Sequence, residues 1–250
     1  MHAAVGGFRS EVRCRGPGGH AISFWTGWAS LVFALGPPLE LWTDGSFAAH
    51  MAQHEILMLI AAPLLVAAKP AGVLMWGLPG FASRAYARLA RAQRVRVLAS
   101  GLCAPVAAWL IHAIVLWAWH VPAAFEAALA NDGMHWAQHT SFFVAAVIFW
   151  WSVLVSGPLA ERRGIATLSV FTTGVHTSIL GALLTFSTQV WYPTYVRTGG
   201  IWGLTPLEDQ QLGGLIMWVP GGTVFVIVGI VLVAMWLKEM EKRAAAARTS

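Results

Sequence analysis

Between Ala21 and Leu237 the chain keeps returning to apolar runs of about twenty residues, and this limits the fold before any motif is considered. A helix of that length crosses the hydrocarbon layer of a bilayer, and inside lipid only helices or closed barrels satisfy their own backbone groups. Of the 250 residues, 57% are hydrophobic and 11% charged, with 14 tryptophans. Soluble domains carry roughly a quarter charged residues, so the deficit reads as an integral membrane protein. The spans are expected at 21–41, 47–68, 97–119, 132–155, 165–188 and 206–237, with Pro37-Pro38 closing the first and Pro63 kinking the second. The expected fold is all-α: one polytopic transmembrane bundle of six spans over 21–237, between a polar tail at 1–20 and a charged tail at 238–250. No repeat and no second domain stand out. Residues 1–19 lack the apolar core of a signal peptide, so the first span is expected to act as an uncleaved anchor.

The net charge of +5 would suggest nucleic acid in a soluble protein. Here the basic residues gather in a few segments between spans: Arg9, Arg13 and Arg15; then Lys69, Arg84, Arg88, Arg91, Arg94 and Arg96; then Arg162-Arg163; and the tail from Lys238. With six spans all four segments fall on one side, which the positive-inside rule makes cytoplasmic, with both termini inside. No nucleic-acid motif is present. Residues 81–97 are expected to form an amphipathic helix on the lipid surface. The two cysteines, Cys14 and Cys103, lie in different segments and do not form a CxxC pair. Thr205-Pro206-Leu207-Glu208 has the form of a capping box opening the sixth span, and Asp132 is the expected cap of the fourth.

This topology sorts the histidines by depth. His50 and His54 are four apart, so they share a helix face at the outer start of the second span, with Met58 four further on and Glu55 beside them. His135 and His139 repeat the spacing at the outer start of the fourth span. His120 ends the third span, with His112 about 12 Å deeper along the axis. His176 lies near the middle of the fifth, and Asp209 at the outer start of the sixth. A lone imidazole near the interface is often only a hydrogen-bonding group. Two pairs with one ligand spacing at one depth point instead to a metal site. The candidate ligands are His50, His54, His120, His135 and His139. His112, His176, Glu55, Met58 and Asp209 are further or supporting candidates. Imidazole suits copper, zinc, iron and nickel, and thioether adds a preference for Cu(I). Paired histidines also ligate haem iron. Three readings stay open on residues alone: a copper-handling protein, a membrane oxidoreductase with a two-metal histidine centre, and a haem-binding protein.

Four ordered blocks carry a resemblance. They are His50-Met51-Ala52-Gln53-His54-Glu55-Ile56-Leu57-Met58 running into Ala62-Pro63-Leu64-Leu65 and Lys69-Pro70; Trp119-His120-Val121-Pro122; His135-Trp136-Ala137-Gln138-His139 with Ser141-Phe142 and Phe149-Trp150-Trp151; and Asp209 through Trp218. Together they resemble the CtaG family of cytochrome c oxidase assembly factors, over nearly everything after Ala21. The resemblance implies a non-catalytic protein of the bacterial cytoplasmic (inner) membrane that helps build a haem–copper oxidase at copper insertion. Its partners would be an oxidase subunit and membrane lipid. It carries His50, His54, His120, His135, His139 and Asp209 over as functional positions. Family members often have one more span at the N-terminus; here the residues before Ala21 are polar, so six are expected.

Overall fold

The computed structural model describes residues 17–37, 39–68, 80–155, 160–198 and 201–248. Expectations for the tail before Pro17, for residues 69–79 and for the side chains of Arg162 and Arg163 lie outside the described residues. All regular structure among them is helical. In chain order the helices are α1 (Pro17–Leu35), α2 (Leu39–Thr43), α3 (Phe47–Ala68), α4 (Gly80–Arg91), α5 (Gln93–Leu102), α6 (Pro105–His120), α7 (Pro122–Ala130), α8 (Asp132–Leu154), α9 (Ala160–Thr185), α10 (Thr194–Thr198) and α11 (Pro206–Arg248).

Four of these are long and apolar enough to cross a membrane: Phe47–Ala68, Asp132–Leu154, Gly164–Thr185 and Pro206–Arg248. A fifth crossing is available if α5 and α6 count as one span; they meet at a 67° bend. That bend replaces the continuous third span expected at 97–119. Pro105 is the cause, since it sits at the first turn of α6 and cannot continue the ladder of α5. The expected first span is divided into α1 and the short α2, and α1 is not among the four helices that meet both the length and the apolarity of a crossing. At the other end, α11 runs on as helix through the charged residues to Arg248.

Helices α3, α8, α6, α9 and α11 form a closed ring, each packed on the next and α11 returning to α3, while α1 lies outside it along α3. Lipid is as apolar as the side chains, so the ring is held by close packing and not by expulsion of water. Gly181 on α9 and Gly214 on α11 supply the closest approach. A Cβ on Gly214 would lie 2.6 Å from the Gly181 carbonyl oxygen, and one on Gly181 would lie 2.8 Å from that of Gly214. Inside the ring, Trp150 stacks on Phe225 with centroids 6.1 Å apart.

α3 runs through Pro63 as one helix from Phe47 to Ala68. The preceding residues, Ile56–Ala61, widen into a π-helical turn in which the Ala62 N–H donates to the Leu57 carbonyl, five residues back. In an α-helix the Ala62 N–H would serve Met58, and Pro63 has no N–H to offer in its place. The Met58 carbonyl is therefore released from the ladder, and the indole N–H of Trp150 on α8 donates to it at 2.8 Å. A second π turn, Met217–Gly221, surrounds Pro220 in α11.

Candidate metal centre

The site sits at the end of the ring where α3, α8 and α11 begin and α6 finishes. The start of α3 is unusually well fixed. Ser46 is its N-cap, and its Oγ accepts from the Ala49 N–H at 3.1 Å. The Ser46 hydroxyl donates to Asp209 at 2.6 Å, and Asp209 also accepts the backbone N–H groups of Phe47 at 2.6 Å and Ala48 at 3.3 Å. A buried carboxylate from α11 thus completes the N-terminus of α3 and complements its dipole. Asp209 is committed to this cap. Beyond it the His50 N–H closes onto the Ser46 carbonyl at 3.2 Å, so the first imidazole hangs from a fixed helical turn.

His135 and His139 are set by the start of α8. Its N-cap is Asn131, not the expected Asp132: the Asn131 side chain accepts from the Met134 N–H at 3.0 Å, and its carbonyl from the His135 N–H at 2.9 Å. At the start of α11, the capping box expected from Thr205 and Glu208 is present.

Four imidazoles from α3 and α8 meet. Ring centroids are 4.5 Å apart for His50–His54, 5.2 Å for His50–His135, 5.5 Å for His50–His139, 5.0 Å for His54–His139 and 4.3 Å for His135–His139. The Nε2 atoms of His50 and His54 are 3.1 Å apart. Ligand nitrogens of His50, His135 and His139 all lie within 4.8 Å of one another. An ion bound about 2.0–2.1 Å from each of three nitrogens would separate them by roughly 3.4 Å, a contraction that small ring pivots supply. His120, on α6, stands at the margin, 6.5 Å from His54 between centroids and against Phe125 and Phe142.

The hydrogen bonds around the cluster test whether it suits a metal. The Nδ1 of His120 lies 2.7 Å from the Leu116 carbonyl, which only accepts, so Nδ1 carries the proton and the lone pair belongs to Nε2. That Nε2 is buried and has no protein partner. His50 Nδ1 lies 3.2 Å from the Tyr195 hydroxyl; a proton on Nδ1 donated to that oxygen makes Nε2 the acceptor in its 3.1 Å hydrogen bond with the Nε2 of His54. The Nε2 atoms of His135 and His139 and the Nδ1 of His54 are likewise buried and unpartnered. Buried imidazole nitrogens without a partner are costly unless something fills the space beside them. A cation fits the donor set.

The remaining candidates stand apart. His112 and His176 face each other on α6 and α9 with centroids 6.0 Å apart, and His176 Nδ1 accepts from the Trp117 indole at 3.4 Å. The Glu55 carboxyl faces α11, where a Cβ on Gly221 would lie 2.8 Å from its Oε2. Met58 lies within the π turn, so the four-residue spacing that put it on the histidine stripe does not hold there.

Sequence reasoning missed the residues that cover the cluster. Phe47, Phe125, Tyr192 and Tyr195 are all buried and form one aromatic plug: Phe47 stacks on Tyr192 at 4.9 Å, Phe125 approaches Tyr192 at 4.3 Å, and Phe125 touches His50 at 5.1 Å. Tyr192 donates to the His120 carbonyl at 3.0 Å, and Glu126 on α7 holds Thr194 through its N–H at 3.1 Å and its hydroxyl at 2.7 Å. Burial, then the nearby Asp209 carboxyl, pushes the Tyr195 phenol above its usual range, so it stays protonated beside His50. For Tyr192 and Tyr195 the sequence carries one signal, their place in the aromatic, Gly-rich stretch from Trp191 to Trp202; for Phe47 and Phe125 it carries none.

An all-helical chain with several bilayer-length apolar helices and a multi-histidine cluster at one end defines a membrane protein with a candidate metal site. Residues 4–239 match the family described as cytochrome c oxidase caa3 assembly factor (Caa3_CtaG), and the chain belongs to that family. It is also 26% identical over 230 residues to proteins of Mycobacterium bovis and Mycobacterium tuberculosis, both described as uncharacterized. Those alignments cover 89% of this chain and 35% of each relative, so the chain spans about a third of the length of the curated relatives it matches. No solved structure matches it.

Proposed function

We propose that the chain holds a copper ion through His50, His54, His135 and His139, with His120 at the margin, and makes it available to a haem–copper oxidase subunit during assembly. The reading rests on membership of the oxidase assembly family and on one observation: ligand nitrogens of His50, His135 and His139 converge from two helices, and the Nε2 atoms of His135 and His139 have no protein partner. Imidazole donors without thiolate suit a copper ion that must later leave, because thiolates are the softer and more retentive ligands for Cu(I). Among the described residues no carboxylate joins the cluster, which weighs against a carboxylate-rich di-iron enzyme.

The chain is read as crossing the bacterial cytoplasmic membrane six times, with both termini inside and the histidine end outside. In the chain, the arginines of α4 and α5 follow the far end of α3 and the basic residues from Lys238 lie at the far end of α11, whereas Arg197 is the sole Lys or Arg from 189 to 205. Metal analysis of the detergent-purified chain tests the site. Copper is expected in the natural protein and lost when His50, His54, His135 and His139 are all changed to Ala; a natural protein without copper, or an unchanged content in the variant, overturns the reading.

A further inference from the structure

The arginines of α4 and α5 take no part in the histidine site. Between Glu55 and Glu126 the chain has no acidic residue, yet Arg84, Arg88, Arg91, Arg94 and Arg96 crowd into one stretch of it. All five are exposed, and among the described residues none forms an ion pair. On α4 the spacing of Arg84, Arg88 and Arg91 makes one stripe. Phe81, Ala85 and Leu89 make a second stripe beside it, and Phe81 is 73% and Leu89 60% exposed. Arg94 and Arg96 open α5, and Val97 and Leu98, which follow, are exposed as well. α5 has no buried residue and meets α6 at 67°, so it turns away from the direction of the ring. α4 packs chiefly on α5. Two helices thus leave the bundle with a basic stripe and an apolar stripe both uncovered by protein.

We propose that α4 and the first turn of α5 bind the anionic headgroup layer of the membrane, with the arginines on lipid phosphates and the neighbouring apolar stripe in the outermost part of the acyl chains. Guanidinium groups pair with phosphate through two parallel hydrogen bonds, and their long stems lie along apolar surface while the charge stays at the headgroups. An amphipathic helix with basic residues flanking its apolar face settles in that boundary. Nucleic acid would satisfy the arginines but offers no apolar layer for Phe81 and Leu89. An acidic protein would have to displace lipid, whereas α5 continues into α6 of the ring and so is kept at the lipid boundary by the chain itself. The topology proposed above puts this segment at the cytoplasmic leaflet, whose surface is negative. The headgroups would then hold α5 at its angle and fix the start of α6, the helix that ends in His120. This inference goes beyond the copper reading and needs only the membrane reading.

The test uses the full chain in lipid nanodiscs, either of phosphatidylcholine alone or of equal parts phosphatidylcholine and phosphatidylglycerol, and follows amide hydrogen exchange across residues 80–102. One arginine at an anionic surface is worth about fivefold in binding, so the five together are expected to slow exchange there at least about tenfold in the anionic discs, while α8 and α9 stay unchanged. Salt at about 1 M, which shortens the screening length to about 3 Å, is expected to remove the difference. So are Arg84→Gln, Arg88→Gln, Arg91→Gln, Arg94→Gln and Arg96→Gln combined, whereas the same five changed Arg→Lys keep it. Equal exchange in the two lipids, a difference that survives the five Arg→Gln changes, or loss with Arg→Lys as well overturns the proposal. Soluble glycerol phosphate added to the phosphatidylcholine discs is expected to change nothing; protection by it would make a free phosphate the ligand and overturn the membrane surface. No other protein and no nucleic acid is present, so protection that follows lipid charge belongs to the lipid. Copper content does not enter the measurement, and the copper reading stands or falls separately.

Discussion

Asp209 and Phe47 are separated by 162 positions in sequence, yet the Asp209 carboxylate accepts the Phe47 backbone N–H at 2.6 Å. This contact joins the start of α11 to the start of α3 and fixes the turn from which His50 projects. Asp209→Ala leaves the Phe47 N–H and the Ser46 hydroxyl buried without this acceptor. Loss of a buried, charge-assisted cap should cost about 1–3 kcal/mol. Thermal unfolding in detergent is expected to show a lowered midpoint for Asp209→Ala, with Asp209→Asn in between.

The histidines fall into two groups, and metal content should divide along the same line. His139→Ala removes a nitrogen from the converging set, whereas His112→Ala changes a pair that lies elsewhere on α6 and α9. Copper stoichiometry is expected to collapse in the first and persist in the second. Equal loss in both would mean that the His112–His176 pair belongs to the same site.

Tyr195 touches His50 and not the space between the rings, so it is a positioning residue. Tyr195→Phe keeps the packing of the plug and removes only the hydroxyl 3.2 Å from Nδ1. Outer partners of metal-bound histidines typically carry 10–100-fold in affinity, and a loss of about that size is expected in a chelator competition. The unfolding midpoint of the copper-free protein should barely move.

Gly214 is a test of the ring. Even one methyl there meets the Gly181 carbonyl and the Thr185 N–H, each at 2.6 Å. Backbone cannot yield as a flexible side chain can, so Gly214→Ala should destabilise by about 1–3 kcal/mol. The same change at Gly101, whose added Cβ meets nothing within 4 Å, is expected to leave stability nearly unchanged.

Much of this was legible in the sequence because membranes impose coarse rules. The apolar runs marked the helices, and the repeated i, i+4 histidines marked two rings on each of two helices. The family could be recognised from four ordered blocks. What periodicity could not resolve was the local geometry around proline. Pro105 turned an expected continuous span into a bent pair, and Pro63 produced a π turn where a kink was expected. The role of Asp209 was also hidden: a carboxylate beside a histidine-rich end reads as a metal partner, and only the fold shows it spent on the helix that carries His50. The plug was invisible for a similar reason. Phe47, Phe125, Tyr192 and Tyr195 come from separate segments, and nothing in their spacing announces that they meet.

The π turn in α3 has a consequence for how this protein can vary. One residue more than an α-helix needs rotates everything beyond it by about 100° relative to everything before it. The first half, with His50 and His54, and the second half, from Ala62 onward, are therefore separately phased, with Trp150 bonded across to the seam. Substitutions that re-seat the second half against its neighbours need not propagate to the imidazoles, because the join absorbs a change of register that a continuous helix would transmit. The histidine-bearing half is in this sense insulated from drift in the half beyond the join.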